Sequence, residues 1–259
     1  MRRINILGVW VHDCDEEVAV DAIKHFLENA SLPPTTAKQL CTVNPEFVME
    51  ARQNRAFRAL LNTADLCTPD GVGIILAARL MGTPLRGRAT GVALVGRIAE
   101  LSAVEGHRLF LLGAQPGVAE QAAKELARRY PGVNIVGTYP GSPADTDFPE
   151  IERRLAASQP NVLLVAYGAP RQDLWIRAHR SDFPSSVKVA MGIGGVLDYL
   201  AGRVPLAPPI MRRLGLEWLF RLIKQPWRWR RILRVFRFGF LAVHAYIARR
   251  IGARARPHS

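Results

Sequence analysis

Short apolar segments with strand character alternate with longer amphipathic segments through most of this 259-residue chain. Gly, Pro, Asn and Asp bound the strand-like segments, and each amphipathic segment between them is long enough for a helix that returns the chain across a sheet. This alternation is typical of parallel sheets that are covered by helices. We therefore predict an α/β fold, a Rossmann-like and mostly parallel sheet with flanking helices.

The alternation ends at a Pro-rich stretch near the C-terminus. The predicted strands cover residues 4–11, 39–43, 65–68, 108–112, 134–138, 162–167 and 187–191. The predicted helices cover residues 16–29, 46–62, a stretch beginning near 71, 118–130, 150–158 and 172–180. The Pro-rich residues 204–209 then separate an α/β domain at 1–203, which would carry a catalytic site, from an appendage at 204–259.

The positive charge of the chain is concentrated in this appendage. Of 35 Lys and Arg and 22 Asp and Glu in the whole chain, residues 203–259 hold fourteen of the bases and only one acid, Glu217. Arginines alternate there with tryptophans and phenylalanines, a composition that suits a nucleic acid, an anionic membrane or a diphosphate-bearing ligand. Because the remaining sequence shows no nucleic-acid module, we predict an anionic membrane surface as the partner and no nucleic acid.

The appendage also has the periodicity of an amphipathic helix. Apolar residues from 229 to 247 recur at steps of three and four, which leaves Arg230, Arg234 and Arg237 on another face. The apolar run 238–248 is about half of the roughly 20 residues that span a bilayer. We predict a helical membrane-surface segment without a transmembrane helix. An alternative stays open, in which the helix docks on its own domain and its arginines are solvated.

The N-terminus and the cysteines indicate the compartment. No signal-peptide pattern follows Met1, and Cys14, Cys41 and Cys67 lie in or beside apolar strands without metal-ligand spacing. We therefore predict reduced cysteines and a cytoplasmic protein. Two acid-x-acid sequences, at 13–15 and 145–147, have a form that can hold a divalent ion. The first precedes a helix that needs a cap and the second lies in a loop, so we predict no metal at either.

Polar loops follow four of the predicted strands, at the sheet edge where parallel α/β proteins bind ligands. These loops contain Thr42 and Asn44, Asp70 and Gly71, Gly113 to Gly117, and Gly168 to Gln172. The first three loops also have a purely structural alternative. Asn44 and Asp70 are both good helix N-caps, and the turn at 113–117 is as well suited to a tight connection as to a phosphate cradle.

Three further motifs complete an ordered series. They are Arg88-Ala89-Thr90-Gly91, Gly192 to Gly195 followed by Asp198-Tyr199-Leu200-Ala201-Gly202, and Leu216-Glu217-Trp218-Leu219-Phe220-Arg221-Leu222. From about residue 4 to about residue 233, the series resembles the WecG/TagA/CpsF glycosyltransferases, glycosyltransferase family 26. The resemblance implies an inverting glycosyltransferase of cell-surface polysaccharide synthesis. Such an enzyme moves a sugar from a UDP-sugar to a saccharide carried on undecaprenyl diphosphate, at the inner face of the bacterial cytoplasmic membrane.

The resemblance also implies roles for single residues. By motif position, Asp70 resembles the general base, Thr42 and Asn44 line the pocket, Arg88 is a polar active-site residue, and Gln172 lies near the transferred sugar. The implied substrate-binding residues are Gly71, Gly113, Pro116, Gly117, Gly168, Gly194, Arg221, Arg228 and Arg231. The family implies no metal and no cofactor beyond the UDP-sugar co-substrate. The appendage arginines would then stabilise the departing UDP, because guanidinium groups bind phosphate oxygens while staying charged.

Several points stay open at this stage. The donor sugar is N-acetylmannosamine, its uronic acid, glucose or glucuronic acid, and the oligomeric state is undetermined. Val43 replaces a commoner Pro, and residues 139–143 replace an aromatic-Gly loop that bears on donor choice in the family. The alternative function is a nucleotide-binding membrane-surface adaptor without catalysis. A Rossmann-type oxidoreductase is disfavoured because the first strand lacks the glycine fingerprint.

Overall fold

The computed structural model describes residues 1–28, 36–208, 210–211, 217–224, 226 and 229–254. In the last two helices, the side chains at 217–218, 221, 230–232 and 249–254 lie outside this description. Three predicted substrate-binding arginines are affected. Arg228 falls outside the described residues, as do the side chains of Arg221 and Arg231, so their roles stay predictions.

Eight strands and eleven α-helices are seen in the described part of the chain. In order they are β1 (Arg3–Ile6), β2 (Val9–His12), α1 (Glu16–Glu28), β3 (Lys38–Val43), α2 (Pro45–Gln53), α3 (Arg55–Thr63), β4 (Leu66–Pro69), α4 (Val72–Leu80), α5 (Gly91–Glu105), β5 (Arg108–Gly113), α6 (Val118–Arg129), β6 (Asn134–Tyr139), α7 (Phe148–Ser158), β7 (Val162–Ala166), α8 (Arg171–His179), β8 (Val189–Gly192), α9 (Val196–Leu200), α10 (Glu217–Lys224) and α11 (Trp229–Arg254). A short 3₁₀ turn at Asp145–Asp147 precedes α7.

Six of the strands form one parallel sheet in the order β4-β3-β8-β7-β5-β6. Every neighbouring pair in this sheet is parallel. Parallel pairing requires crossover connections, and the helices that make them cover the sheet, so a central strand such as β7 is buried at every position. The predicted α/β fold is confirmed. Its consequence for function is that β4, β3, β8 and β7 are neighbours, so the loops that follow them meet at one edge.

The prediction of a single strand at residues 4–11 is wrong. Residues 4–11 form not one strand of the main sheet but the antiparallel hairpin β1–β2, which is separate from it. Leu7 and Gly8 make the turn, with φ of 52° and 96°. A two-residue turn with both φ positive matches the twist of the flanking strands. The sequence pattern hides this turn because Leu7 continues the apolar run.

The predicted helix at 46–62 is two helices, α2 and α3, with a break at Asn54. The Asn54 side chain accepts a hydrogen bond from the backbone N–H of Phe57 at 3.0 Å and so caps α3. Its own backbone N–H donates to the carbonyl of Glu50 and closes α2. An N-cap inside a segment of continuous helical periodicity is easily overlooked. Helix α5 was likewise not predicted as a separate element.

Helix α11 docks on the α/β domain through a narrow stripe and leaves a wider apolar stripe exposed. Phe238 and Ala242 are each 2% exposed and belong to a hydrophobic cluster with residues of α2 and α4. The Phe238 ring lies against Gly73. The exposed stripe consists of Trp229, Leu233, Phe236, Phe240, Val243 and Ile247. Docking on the domain, which the sequence analysis left open, is therefore present together with an exposed amphipathic face.

No helix within the described ranges is both long enough and apolar enough to span a bilayer. The helical character of the appendage agrees with the prediction. The division of the chain at residue 203 stays a prediction, since the docked residues of α11 share a hydrophobic cluster with the domain.

Two neighbouring phenylalanines test the docking of α11. We expect Phe238→Ala to lower the free energy of opening of α11 by about 3 kcal/mol, because it removes a buried ring from the cluster. Phe240 is 70% exposed, so Phe240→Ala should change the same quantity by less than about 0.5 kcal/mol. Native-state hydrogen exchange of the α11 amides measures both values. Equal effects of the two substitutions would contradict the docked arrangement.

Candidate active site

A cavity of about 440 Å³ opens at the carboxyl end of the sheet, above the four neighbouring strands β4, β3, β8 and β7. Residues at or just after the end of each strand line it: Thr42 and Asn44 from β3, Asp70 from β4, Gly168 to Pro170 and Gln172 from β7, and Gly192 to Val196 from β8. Its volume is in the range that holds a small organic ligand.

Most of the predicted site residues meet at this cavity. Thr42, Asn44, Asp70, Arg88, Gly168, Gln172 and Gly194 line it. Gly71 stands directly beside Asp70 as the N-cap of α4, and its φ of 96° lies in the region that favours glycine. The structure therefore brings together residues that are up to 152 positions apart in the sequence, from Thr42 to Gly194.

Three predicted substrate-binding residues, Gly113, Pro116 and Gly117, do not line this cavity. They lie in the turn between β5 and α6, and β7 separates β5 from β8 in the sheet. A Cβ added to Gly113 would sit 2.9 Å from the Tyr167 ring and 3.0 Å from the carbonyl carbon of Ala166. The glycine therefore allows close packing of two neighbouring strand ends, and the substrate-binding roles of Gly113, Pro116 and Gly117 stay predictions.

Asp70 is held at the junction between β4 and α5. Its Oδ2 accepts a hydrogen bond from the backbone N–H of Gly91 at 3.3 Å. Its own backbone N–H donates to the carbonyl of Val43 at 2.8 Å. The N-cap alternative does not hold for α4, because that cap is Gly71 and it makes no side-chain hydrogen bond. The carboxylate is thus oriented at the start of α5, on the cavity wall.

Asn44 performs the structural role that its sequence indicates. Its side chain accepts from the backbone N–H of Phe47 at 3.1 Å and caps α2, with Pro45 as the first helical residue. Thr42, near the end of β3, is buried. A Cβ added to Gly91 would sit 3.5 Å from the Thr42 hydroxyl oxygen. Thr42 and the start of α5 therefore form one continuous part of the wall.

The segment that leads into α5 supplies another part of the wall. Thr90 caps this helix by accepting from the backbone N–H of Ala93 at 3.3 Å. Thr90, Val92 and Ala93 line the cavity although the sequence analysis gave them no role. Arg88 is half-buried there, and within the described ranges no residue forms a hydrogen bond or ion pair with it. A guanidinium in this position is suited to bind phosphate oxygens.

Gln172 joins the loops that follow β7 and β8. Its Oε1 accepts from the backbone N–H of Gly168 at 3.1 Å and from that of Gly194 at 2.9 Å. The side chain is almost completely buried, and a Cβ added to Gly192 would lie 2.6 Å from its Nε2. The oxygen of Gln172 is therefore committed to the backbone. Its predicted place near a transferred sugar is compatible with this contact, since it lines the cavity.

Asp173 is a buried carboxyl that sequence reasoning missed. It is fully buried, and neither oxygen makes a well-formed hydrogen bond to another described residue. Burial raises its pKa to about 7, and the nearby Cys41 thiol and Gln172 amide offset this only in part. The carboxyl lies directly behind the cavity wall, because a Cβ on Gly192 would be 2.7 Å from its Oδ1. An acid in the first turn of a helix is usually exposed, so the sequence carried no signal of burial.

Aspartates of the two acid-x-acid sequences make hydrogen bonds within the fold. Asp13 accepts from the Arg2 guanidinium at 3.2 Å and from the backbone N–H of Arg86 at 2.8 Å. Asp15 accepts from the backbone N–H of Val18 at the start of α1, and Asp147 accepts from that of Ser142. In the described part of the chain, His, Cys, Asp and Glu side chains form no cluster of three or more that could hold a metal ion.

The charges that line the cavity come from both parts of the chain. Glu16, Glu46, Glu50 and Asp70 contribute carboxylates, and Arg88 contributes a guanidinium. A second guanidinium belongs to Arg234 of α11, which lines the cavity and pairs with Glu50. The appendage therefore contributes at least one charged side chain to the wall.

Comparison with known proteins gives one family and a consistent set of relatives. The glycosyl transferase WecG/TagA/CpsF family matches residues 4–252. A protein of Bacillus spizizenii is 35% identical over 209 residues, which is 81% of this chain and 80% of the relative. A protein of Staphylococcus aureus is 34% identical over 233 residues, which is 90% of this chain and 88% of the relative. A protein of Bacillus subtilis is 31% identical over 83% of this chain and 82% of the relative.

All three relatives are named N-acetylglucosaminyldiphosphoundecaprenol N-acetyl-beta-D-mannosaminyltransferase. The matched region includes both the strand-end loops and most of α11.

The buried carboxyl of Asp173 predicts a pH dependence of stability. Its folded pKa of about 7 lies above the ordinary value of 3.8. The unfolded chain therefore loses this proton first, and stability falls as the pH rises from about 4 to about 7. Asp173→Asn removes this penalty. We expect the unfolding free energy of the variant, relative to that of the wild type, to rise by about 2–3 kcal/mol between pH 5 and pH 8.

Urea denaturation at a series of pH values measures this difference. Asp21→Asn is the control, because it removes a carboxyl from an exposed position. A pH-independent difference for Asp173→Asn would show that Asp173 is ionised in the folded protein.

Proposed function

Because the chain belongs to the WecG/TagA/CpsF family of glycosyl transferases, we propose that it transfers N-acetylmannosamine from UDP to an N-acetylglucosamine carried on undecaprenyl diphosphate. The names of the relatives favour this sugar over its uronic acid, glucose and glucuronic acid. The single observation that carries the proposal is the cavity at the strand ends, which both Asp70 and Arg88 line. One group can accept a proton there, and the other can bind a leaving phosphate.

Asp70 is the proposed general base. In an inverting transfer, a hydroxyl oxygen of the acceptor sugar attacks the anomeric carbon of the donor from the face opposite UDP. The new glycosidic bond forms as the bond between the anomeric carbon and the β-phosphate oxygen breaks, and the hydroxyl proton passes to the Asp70 carboxylate. The hydrogen bond from Gly91 to Oδ2 fixes the carboxylate for this step.

The departing UDP needs positive charge, which is the second requirement of the reaction. Arg88 supplies a guanidinium that makes no ion pair with any residue in the described ranges. The first residues of α5, which line the cavity, add the positive end of a helix dipole. In this proposal, Arg221, Arg228 and Arg231 of the appendage complete the diphosphate site, and no metal ion takes part.

The exposed stripe of α11 is the proposed contact with the membrane. A lipid-linked acceptor has its diphosphate at the bilayer surface, so an enzyme that uses it must work there. The stripe presents six large apolar side chains, among them Trp229, Phe236 and Phe240, and residues 203–259 around it carry thirteen excess positive charges. Apolar area and charge act together in binding to anionic lipid. We place the protein at the inner face of the cytoplasmic membrane.

The alternative of an adaptor that binds a nucleotide without catalysis makes a different prediction for Asp70, since binding alone does not need a base. The proposed enzyme needs both nucleotide binding and a base. A transfer assay with UDP-N-acetylmannosamine and a lipid-linked N-acetylglucosamine acceptor distinguishes the enzyme from the adaptor. A homo-oligomeric state stays open.

The variant Asp70→Asn tests the general base. Its amide keeps an oxygen that can accept the hydrogen bond from the backbone N–H of Gly91. We expect kcat to fall by roughly 10²- to 10⁴-fold, the range for loss of a general base, while the Kd for UDP changes by less than about threefold. Transfer kinetics in detergent micelles and calorimetry with UDP measure the two quantities. Wild-type turnover in the variant would exclude Asp70 as the base.

The same assay tests the metal-free part of the proposal. The wild-type enzyme should keep its rate in excess chelator. Loss of activity with chelator, restored by manganese, would require a metal ion in place of the proposed arginines.

The proposed contact with the membrane surface can be tested by substitutions in the exposed stripe. Replacing Phe236 and Phe240 together with Ser should weaken binding to vesicles with anionic lipid by about tenfold or more, because two apolar side chains no longer enter the interface. Val104→Ser is the matched control, since Val104 is an exposed apolar residue of α5 outside the stripe. Cosedimentation with the vesicles measures binding. Unchanged binding of the double variant would refute the assignment of this stripe.

A further inference from the structure

One ion pair connects the appendage to the rim of the cavity. Nη1 of Arg234 lies 3.0 Å from Oε2 of Glu50, and both residues line the cavity. Glu50 belongs to α2, which also carries cavity residues at its start, and Arg234 belongs to α11. The Arg234 side chain is 46% exposed and that of Glu50 is 22% exposed. The pair therefore stands where a ligand in the cavity can reach it.

The position of α11 does not depend on this pair. Phe238 and Ala242 follow Arg234 at steps of four on the same face of the helix, and both are buried in the cluster with α2 and α4. A partly exposed ion pair contributes little to stability by comparison. The docked stripe thus fixes Arg234 at the rim, and the guanidinium can change partners without undocking the helix.

An anionic ligand in the cavity is the expected alternative partner of Arg234. The carboxylates of Glu16, Glu46, Glu50 and Asp70 line the cavity, while Arg88 and Arg234 are its guanidinium groups among the described residues. A nucleoside diphosphate that enters the cavity finds Arg234 already paired with Glu50. It can recruit Arg234 only in competition with Glu50. A diphosphate offers more charge and more acceptor oxygens than one carboxylate, and guanidinium groups bind phosphate bidentately.

We infer that Arg234 is a diphosphate-binding residue that Glu50 holds in place while the cavity is empty. When a nucleoside diphosphate binds, Arg234 exchanges Glu50 for phosphate oxygens. This inference rests on the proposed function in so far as UDP is the nucleotide. It adds to that function an arginine from outside the motifs that carried the family resemblance, and it gives Glu50 the role of a competitor that lowers nucleotide affinity.

The test is the Kd for UDP, measured by calorimetry on the full chain without membranes. We expect Arg234→Gln to weaken UDP binding by about tenfold, through loss of a charge-assisted contact. Glu50→Gln should strengthen it by about threefold or more, because Arg234 then has no competing partner. A merely structural ion pair would not give opposite effects, since breaking it from either side disturbs the same contact.

The double variant Glu50→Gln with Arg234→Gln separates partner exchange from simple charge balance. It leaves the net charge of the wall unchanged, so a role through charge balance alone predicts wild-type affinity. Partner exchange predicts binding at least about threefold weaker than wild type, because the guanidinium is lost. The matched control replaces Glu125 and Arg129, an ion pair of 2.6 Å on α6 outside the cavity lining, and should leave the Kd unchanged.

The outcomes distinguish the two proposals. If the wild type binds UDP and the double variant binds it equally well, the role of Arg234 is overturned while the proposed function stands. If the folded wild type binds no UDP, the UDP donor of the proposed function is overturned together with this role. Circular dichroism of each variant, with a helix content equal to that of the wild type, confirms that the comparison is between folded proteins.

Discussion

The candidate site depends on one shared hydrogen-bond acceptor, Oε1 of Gln172. It takes the amides of Gly168 and Gly194 together and so fixes the loops after β7 and β8 relative to each other. Loss of either hydrogen bond would leave a buried polar group without a partner, which costs free energy. The arrangement is therefore rigid. The wall opposite, with Asp70 and the start of α5, then faces a surface of fixed shape. Preorganisation of this kind is what a transfer reaction requires of its protein.

The sequence predicted the parts of the molecule that obey local rules. Strand ends in a parallel sheet meet at one edge, so Thr42, Asp70 and Gln172 could be grouped before the structure was known. The turn at Leu7 and Gly8 was missed because a leucine with positive φ leaves no mark in an apolar run. The predicted role of Gly113 stays a prediction, because tight packing and phosphate binding both select glycine. The burial of Asp173 follows from tertiary packing alone, which a helix-start acid does not reveal.

The appendage shows how one helix serves two surfaces. Steps of four place Arg234, Phe238 and Ala242 on the domain, while alternating steps of four and three place Trp229, Leu233 and Phe236 in the exposed stripe. Sequence periodicity identified the exposed stripe, but Phe238 read as part of the same apolar run. In the docked stripe, the Phe238 ring packs close to Gly73. The same helix thereby carries the exposed stripe and also reaches the cavity rim.

The sheet order also governs when this site can exist. β8 is the last strand of the sheet to be synthesised, yet it inserts at the centre, between β3 and β7. Until it pairs, β3 with β4 and β7 with β5 and β6 remain two separate blocks without a common edge. A nascent or truncated chain that stops short of β8 therefore holds both halves of the wall and no pocket. The cavity at the strand ends therefore forms only when β8 has paired with both blocks.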